Sequence, residues 1–116
     1  MFKAYAFFVD GKLVATDVQV ELANKVACIC GREYCCEKLL IICDTGVFNE
    51  LLGRCLEYVE INGIKIHHAR FLGIRDDDIL VQDRYCKIIV SIPIINIRNF
   101  TIEDYCGYEF YMTTNN

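Results

Sequence analysis

Apolar and polar residues alternate in short runs along most of the chain, and the runs end at Gly, Asn or Asp. Phe7-Phe8-Val9-Asp10-Gly11-Lys12-Leu13-Val14 and Val59-Glu60-Ile61-Asn62-Gly63-Ile64-Lys65-Ile66 each set such a dipeptide between apolar segments. A type I′ turn needs positive φ at both central residues, which Asp-Gly or Asn-Gly supply at least cost, so each stretch predicts a β-hairpin. The wider pattern places strands near 2–9, 12–22, 25–30 and 34–43, then near 57–61, 64–74, 78–84 and 86–97. Between the two sets, Phe48, Leu51, Leu52, Cys55 and Leu56 recur at helical spacing and predict a helix near 46–57, with Asp44 and Thr45 where an N-cap belongs. Thr101-Ile102-Glu103-Asp104-Tyr105-Cys106 predicts a further helical turn with Thr101 as its cap.

The two turn dipeptides lie 52 residues apart. At nearly the same offset Tyr34-Cys35 recurs as Tyr85-Cys86, Cys55 as Cys106, and Val47-Phe48 meets Asn99-Phe100. Two readings stand side by side. One is an internal duplication of a hairpin-based unit, with pseudo-repeats 1–52 and 53–116; the other is coincidence in a strand-rich chain.

Composition agrees with strands, because Val, Ile, Thr, Phe and Tyr make up 43 of 116 residues. There is one proline and no low-complexity linker, so 1–116 reads as a single domain. The fold class expected is mainly β (α+β): a small barrel or curled antiparallel sheet with one helix. Hydrophobic residues are 54% of the chain, enough for a core and for leftover apolar patches of the kind that mark interfaces.

The net charge is −4, and residues 1–57 and 58–116 each carry 6 basic and 8 acidic residues. With no basic segment, nucleic acid is an unfavoured partner, open only as RNA on a local patch. The run Ala4–Val9 is too short for a secretory signal, and Ile88–Ile97 falls short of a bilayer span. The expectation is a soluble cytoplasmic protein with no membrane contact. Asp76-Asp77-Asp78 lacks the EF-hand pattern and reads as a solvated turn.

Eight cysteines, at 28, 30, 35, 36, 43, 55, 86 and 106, form no CxxC. Their main reading is small hydrophobes packed in a β core. A metal site from Cys28, Cys30, Cys35 and Cys36 is an alternative, and so is a disulfide: a three-residue turn would set Cys28 against Cys36, a two- or four-residue turn Cys30 against Cys35. His67 and His68 read as ordinary strand histidines. No Walker loop, GxGxxG, GxSxG or HExxH occurs.

Two resemblances bear on function. Leu39-Leu40-Ile41-Ile42-Cys43 running into Asp44-Thr45-Gly46 resembles the active-site loop of retroviral-type aspartic proteases, with Pro93–Asn99 similar to their late apolar-Arg-Asn segment. The resemblance implies a homodimer in which each chain lends Asp44, with Thr45 and Gly46 holding the loop. The competing reading is a helix N-cap. Asn62-Gly63-Ile64-Lys65-Ile66, Phe71-Leu72-Gly73-Ile74, Asp78–Asp83 and Cys86–Ile97, behind the predicted helix, are together similar to the Sm-like small β-barrels over about residues 46–100. That likeness implies a ring that binds RNA, for which Arg70, Phe71, Arg84 and Tyr85 are the candidate ligand-binding residues.

No nucleophile and base sit at a recognisable spacing, so the expectation leans away from an enzyme. The first functional reading is a small binding or regulatory module, without cofactor, acting on a protein or small ligand as a homo-oligomer. A virus- or phage-encoded inhibitor fits that description. An Sm-like RNA binder and a retropepsin-like protease are the alternatives.

Overall fold

The computed structural model describes residues 1–105 and 107–113. Eleven strands follow in order: β1 Phe2–Val9, β2 Lys12–Ala23, β3 Val26–Ile29, β4 Arg32–Tyr34, β5 Leu39–Cys43, β6 Cys55–Ile61, β7 Ile64–Arg75, β8 Asp78–Asp83, β9 Ile89–Pro93, β10 Ile97–Ile102 and β11 Tyr108–Met112. Short 3-10 turns cover Thr45–Glu50 and Ile94–Asn96. The strands form one sheet in the order β4-β3-β2-β1-β5-β11-β10-β6-β7-β8-β9.

The mainly β class expected from the pattern is what the chain adopts, as a sheet that curls without closing into a barrel. It is mixed, because β11 runs parallel to β5 from Tyr108↔Leu39 to Met112↔Cys43. Both hairpin turns are where the dipeptides put them. Asp10 and Gly11 have φ of 49° and 83°, and Asn62 and Gly63 have φ of 49° and 86°.

The helix expected over 46–57 is shortened to the 3-10 turn Thr45–Glu50. Gly53, at φ 78°, reverses the chain, and β6 has begun by Cys55. Val47, Phe48 and Leu51 are buried, whereas Leu52 is 71% exposed, so the apolar spacing served a turn and the start of a strand. The strand expected over 34–43 divides into β4 and β5, and the one over 86–97 into β9 and β10 with a 3-10 turn between. Of the helical turn expected at 101–106, Thr101 and Ile102 instead complete β10; Cys106 lies outside the described residues.

Residues 2–43 and 55–102 follow one plan. β5 joins β1 as β10 joins β6, and each leads outward through a long strand and two shorter ones. Beside the turns the register is the same: Val9↔Lys12 and Phe8↔Leu13 correspond to Ile61↔Ile64 and Glu60↔Lys65. β2 and β7 both have 12 residues, and each contains a left-handed residue, Asp17 at φ 54° and His68 at φ 53°.

Curling is visible in contacts between strands that are distant in the order. The rings of Phe7 on β1 and Tyr34 on β4 lie 5.2 Å apart, and the Tyr108 hydroxyl on β11 donates to the Tyr34 carbonyl while accepting from the Ala27 amide at 3.2 Å. The concave side carries the core. At its centre Phe100 stacks on Phe110 at 4.9 Å and 3°, with Phe48 tilted against it at 5.3 Å.

The cysteines correct the core-packing expectation. Cys30, Cys35, Cys36 and Cys86 are exposed, Cys28 and Cys55 half-buried, and Cys43 alone among the described residues is buried. The reason is local: Cys30-Gly31 forms the two-residue turn between Ile29 and Arg32, and Cys35 and Cys36 follow the end of β4. Cys28 opposes Glu33, so neither expected cysteine pairing is made, and all seven described thiols are free. Burial first, then the Asp44 charge, pushes the Cys43 thiol up to about 12. At pH 8 only about one Cys43 in ten thousand is then thiolate. Brief alkylation of the native chain at pH 8 is expected to label Cys30, Cys35, Cys36 and Cys86 and to spare Cys43 until denaturant is added. Peptide mass spectrometry reads this directly, and early label on Cys43 would contradict the placement of β5.

Candidate functional site

The left-handed residue in β7 turns His68 out of the regular alternation, with His67 exposed beside it. A non-glycine residue held at positive φ inside a strand costs about 1 kcal/mol or more, so its surroundings must fix it there. Here Glu103, just beyond β10, supplies the restraint. Its Oε1 lies 3.0 Å from His68 Nδ1, its Oε2 accepts from Arg84 at 2.5 Å, and its amide donates to the Cys55 carbonyl at 3.0 Å. The hydrogen bond from His68 and the bonded Arg84 hold the Glu103 carboxyl below its usual range.

Arg84 follows β8. Its amide donates to the His68 carbonyl at 3.0 Å, and its guanidinium lies against the Cys55 thiol, which with Glu103 pushes the Arg84 pKa up. Tyr85 is 74% exposed and sets its ring edge-on to His68 at 6.1 Å. Asp83 Oδ1 accepts from the amides of Tyr85 and Cys86, both at 2.8 Å, and these bonds, the one from Cys86 first, lower its pKa. The cluster thus clamps the loop 84–88 from both sides, and this loop feeds directly into β9.

β9 is an open edge. Asp83 N donates to Ile88 O and Ile94 N to Asp77 O, both at 2.9 Å. Antiparallel alternation then directs the peptide groups of Ile88, Val90, Ile92 and Ile94 toward β8 and leaves those of Ile89, Ser91 and Pro93 facing outward. Pro93, which has no N–H to give, sits where none is needed. The strand Ile-Val-Ser-Ile-Pro carries no charge. Ile88, Ile89 and Ile95 are all exposed, Ile95 by 86%. The opposite edge, β4, is only three residues long, with exposed Arg32 and Glu33 and an Arg32–Glu37 ion pair at 3.7 Å. Short, charged edges resist pairing; β9 is longer and uncharged, and Pro93 is what blunts it.

The other sequence candidates fall elsewhere. Asp44 Oδ1 accepts from the amides of Gly46 at 3.0 Å and Lys3 at 3.3 Å, the geometry of an N-cap on the turn that Thr45 and Gly46 begin. A Cβ on Gly46 would meet that carboxylate at 3.0 Å. Phe71 is in the core, stacked on Phe48, and presents no ring to a ligand. Arg70 is exposed on β7, opposite Cys55. Of that predicted set, Arg84 and Tyr85 are brought together. Cys28, Cys30, Cys35 and Cys36 do not converge, and no group of three or more metal-ligating side chains occurs among the described residues. No helix among them is long and apolar enough to cross a membrane. His68 and Glu103 stand 35 residues apart with no motif linking them, so nothing in the sequence announces the pair. No known protein family, curated protein or solved structure matches the chain.

Proposed function

We propose that this chain is a small non-enzymatic binding module that works as a homo-oligomer, each copy adding its β9 to the β9 edge of another. The uncharged open edge carries this reading. Antiparallel pairing about Ser91 would let the two Ser91 residues bond each other and each Ile89 amide donate to the other copy's Pro93 carbonyl, setting each exposed Ile89 beside the other copy's Pro93. The cluster of His68, Arg84 and Glu103 supports it by fixing the loop that enters the strand. The matching plans of the two halves support descent by duplication from one hairpin-based unit.

Sedimentation of the wild-type chain at about 1–100 micromolar is expected to show a concentration-dependent dimer. Ile89→Lys places a charge on the edge and is expected to give a monomer with an unchanged circular dichroism spectrum. A wild-type monomer throughout, or a lysine variant that associates as tightly, would overturn the reading. An Sm-like RNA binder is the second reading, favoured by five strands β6–β10 behind a helical turn with β7 bent at His68. A salt-dependent mobility shift with single-stranded RNA would select it. The retropepsin alternative draws no support from Asp44, whose carboxylate is engaged as a cap.

A further inference from the structure

A groove of about 670 Å³ crosses the central strands, reaching the buried Leu39, Tyr105 and Tyr108. Phe8, Leu40 and Ile42 from β1 and β5 give it an apolar floor; Thr101 from β10 lies in its lining, with Glu109 from β11 and Glu57 from β6 beside it. Glu57 stands at the irregularity where Thr101 pairs with Tyr58 but Ile102 with Leu56, so the extra residue opens the sheet beside the threonine.

Three features point to an occupant. First, Thr101 is only 8% exposed, and its Oγ1 is buried with no hydrogen-bond partner. A buried hydroxyl of this kind is ordinarily satisfied. Second, Glu57 and Glu109 enter no ion pair among the described residues. Third, acidic groups gather on this face: after burial, the charges of Glu109, Tyr111, Glu60 and Glu57 push the Tyr58 pKa up. Among the described residues Lys38 is the one cation in the lining, and Lys65 is already placed over the Tyr58 ring at 4.2 Å.

We propose that the groove binds a basic peptide segment, with a lysine or arginine side chain lying between Glu57 and Glu109 and flanking apolar side chains on the Phe8, Leu40 and Ile42 floor. The alkyl stem of such a side chain covers apolar surface while its charged head reaches the carboxylates. A backbone amide or the cationic head donates to Thr101 Oγ1. The groove is separated from the β9 edge by β7 and β8, so one copy can hold a partner peptide here while its edge is occupied.

The test titrates acetyl-Leu-Lys-Leu-amide into the wild-type chain and follows backbone amide resonances. Saturable shifts are expected at Leu40, Ile42, Thr101 and Glu109, with Ile89 unmoved. Replacing the lysine of the peptide by norleucine is expected to weaken binding about fivefold or more, and Glu57→Gln with Glu109→Gln about tenfold, for loss of exposed charge pairs. Both glutamates are exposed, so the double variant keeps its fold, which circular dichroism verifies. Equal affinity for the norleucine peptide, an unaffected double variant, or shifts confined to other surfaces would overturn the assignment. Shifts at Ile89 instead of Thr101 would place peptide binding on the open edge and remove this site.

Discussion

Phe100→Ala is expected to lower the unfolding free energy by about 4 kcal/mol. Phe100 is fully buried on β10, where it stacks on Phe110 and receives Phe48 from the 3-10 turn. Phe48 in turn stacks on Phe71 of β7 at 6.1 Å, and Phe110 contacts Phe2 of β1 at 6.4 Å. A chain of rings through Phe100 therefore links both halves of the sheet, and its removal leaves a cavity between Phe110 on β11 and Phe48 on the 3-10 turn. Those two rings are themselves held by Phe71 and Phe2, which limits how far they can move into the space. Since small domains are stable by roughly 5–15 kcal/mol, the variant would be close to unfolding at physiological temperature. Urea denaturation of wild type and variant measures the difference; a loss below about 1 kcal/mol would mean that Phe100 is not at the centre of the core.

Tyr108→Phe is expected to cost about 2 kcal/mol while removing one oxygen atom. The Tyr108 hydroxyl accepts from Ala27 N and donates to Tyr34 O, so it fastens β3 and β4 over β11. Both partner residues are buried, and phenylalanine would leave an amide and a carbonyl without partners. The effect also has a pH signature. Burial, ahead of the Ala27 bond that lowers it, pushes the Tyr108 phenol above its ordinary value of 10, and Tyr105 is raised by burial in the same way. A phenol raised on folding contributes stability that is complete below pH 10 and is lost as pH climbs through the folded value. Wild type should therefore weaken above pH 10, and Tyr108→Phe should weaken less steeply there while starting lower. Parallel pH profiles for the two chains would contradict the buried role of the hydroxyl. Faster hydrogen exchange confined to residues 26–34 would locate the damage.

What the sequence made legible follows from how local each signal is. Asp10-Gly11 and Asn62-Gly63 could be read because two adjacent residues determine the turn, and the structure gives both the required positive φ. The long strands β2 and β7 followed from the same turns. The helix over 46–57 was misread because Phe48, Leu51 and Leu56 are all buried, but for different reasons: two pack from a 3-10 turn and the third from a strand beyond Gly53. Periodicity cannot distinguish one helix from two elements that happen to abut. The cysteines were misplaced for a related reason. Hydrophobic character predicts burial on average, yet Cys30 and Cys86 sit at turns and Cys35-Cys36 in a connection, where no core is within reach. Arg84 and Tyr85 were found as candidates, but their partners were not, because the His68–Glu103 contact exists only once β7 has bent and β10 has been laid beside β6.

The parallel pairing of β11 with β5 has a consequence for how the chain is made. Tyr108 meets Leu39 across roughly seventy residues of intervening chain, so this seam joins early and late parts of the polypeptide. On the ribosome, residues 2–43 can form their own five strands while the flank of β5 stays bare. The second unit can assemble in the same way on β6 and β10. The two become one sheet only when β11 lies between them. Until then two naked strand flanks, on β5 and β10, face each other across a gap that any other extended segment could fill.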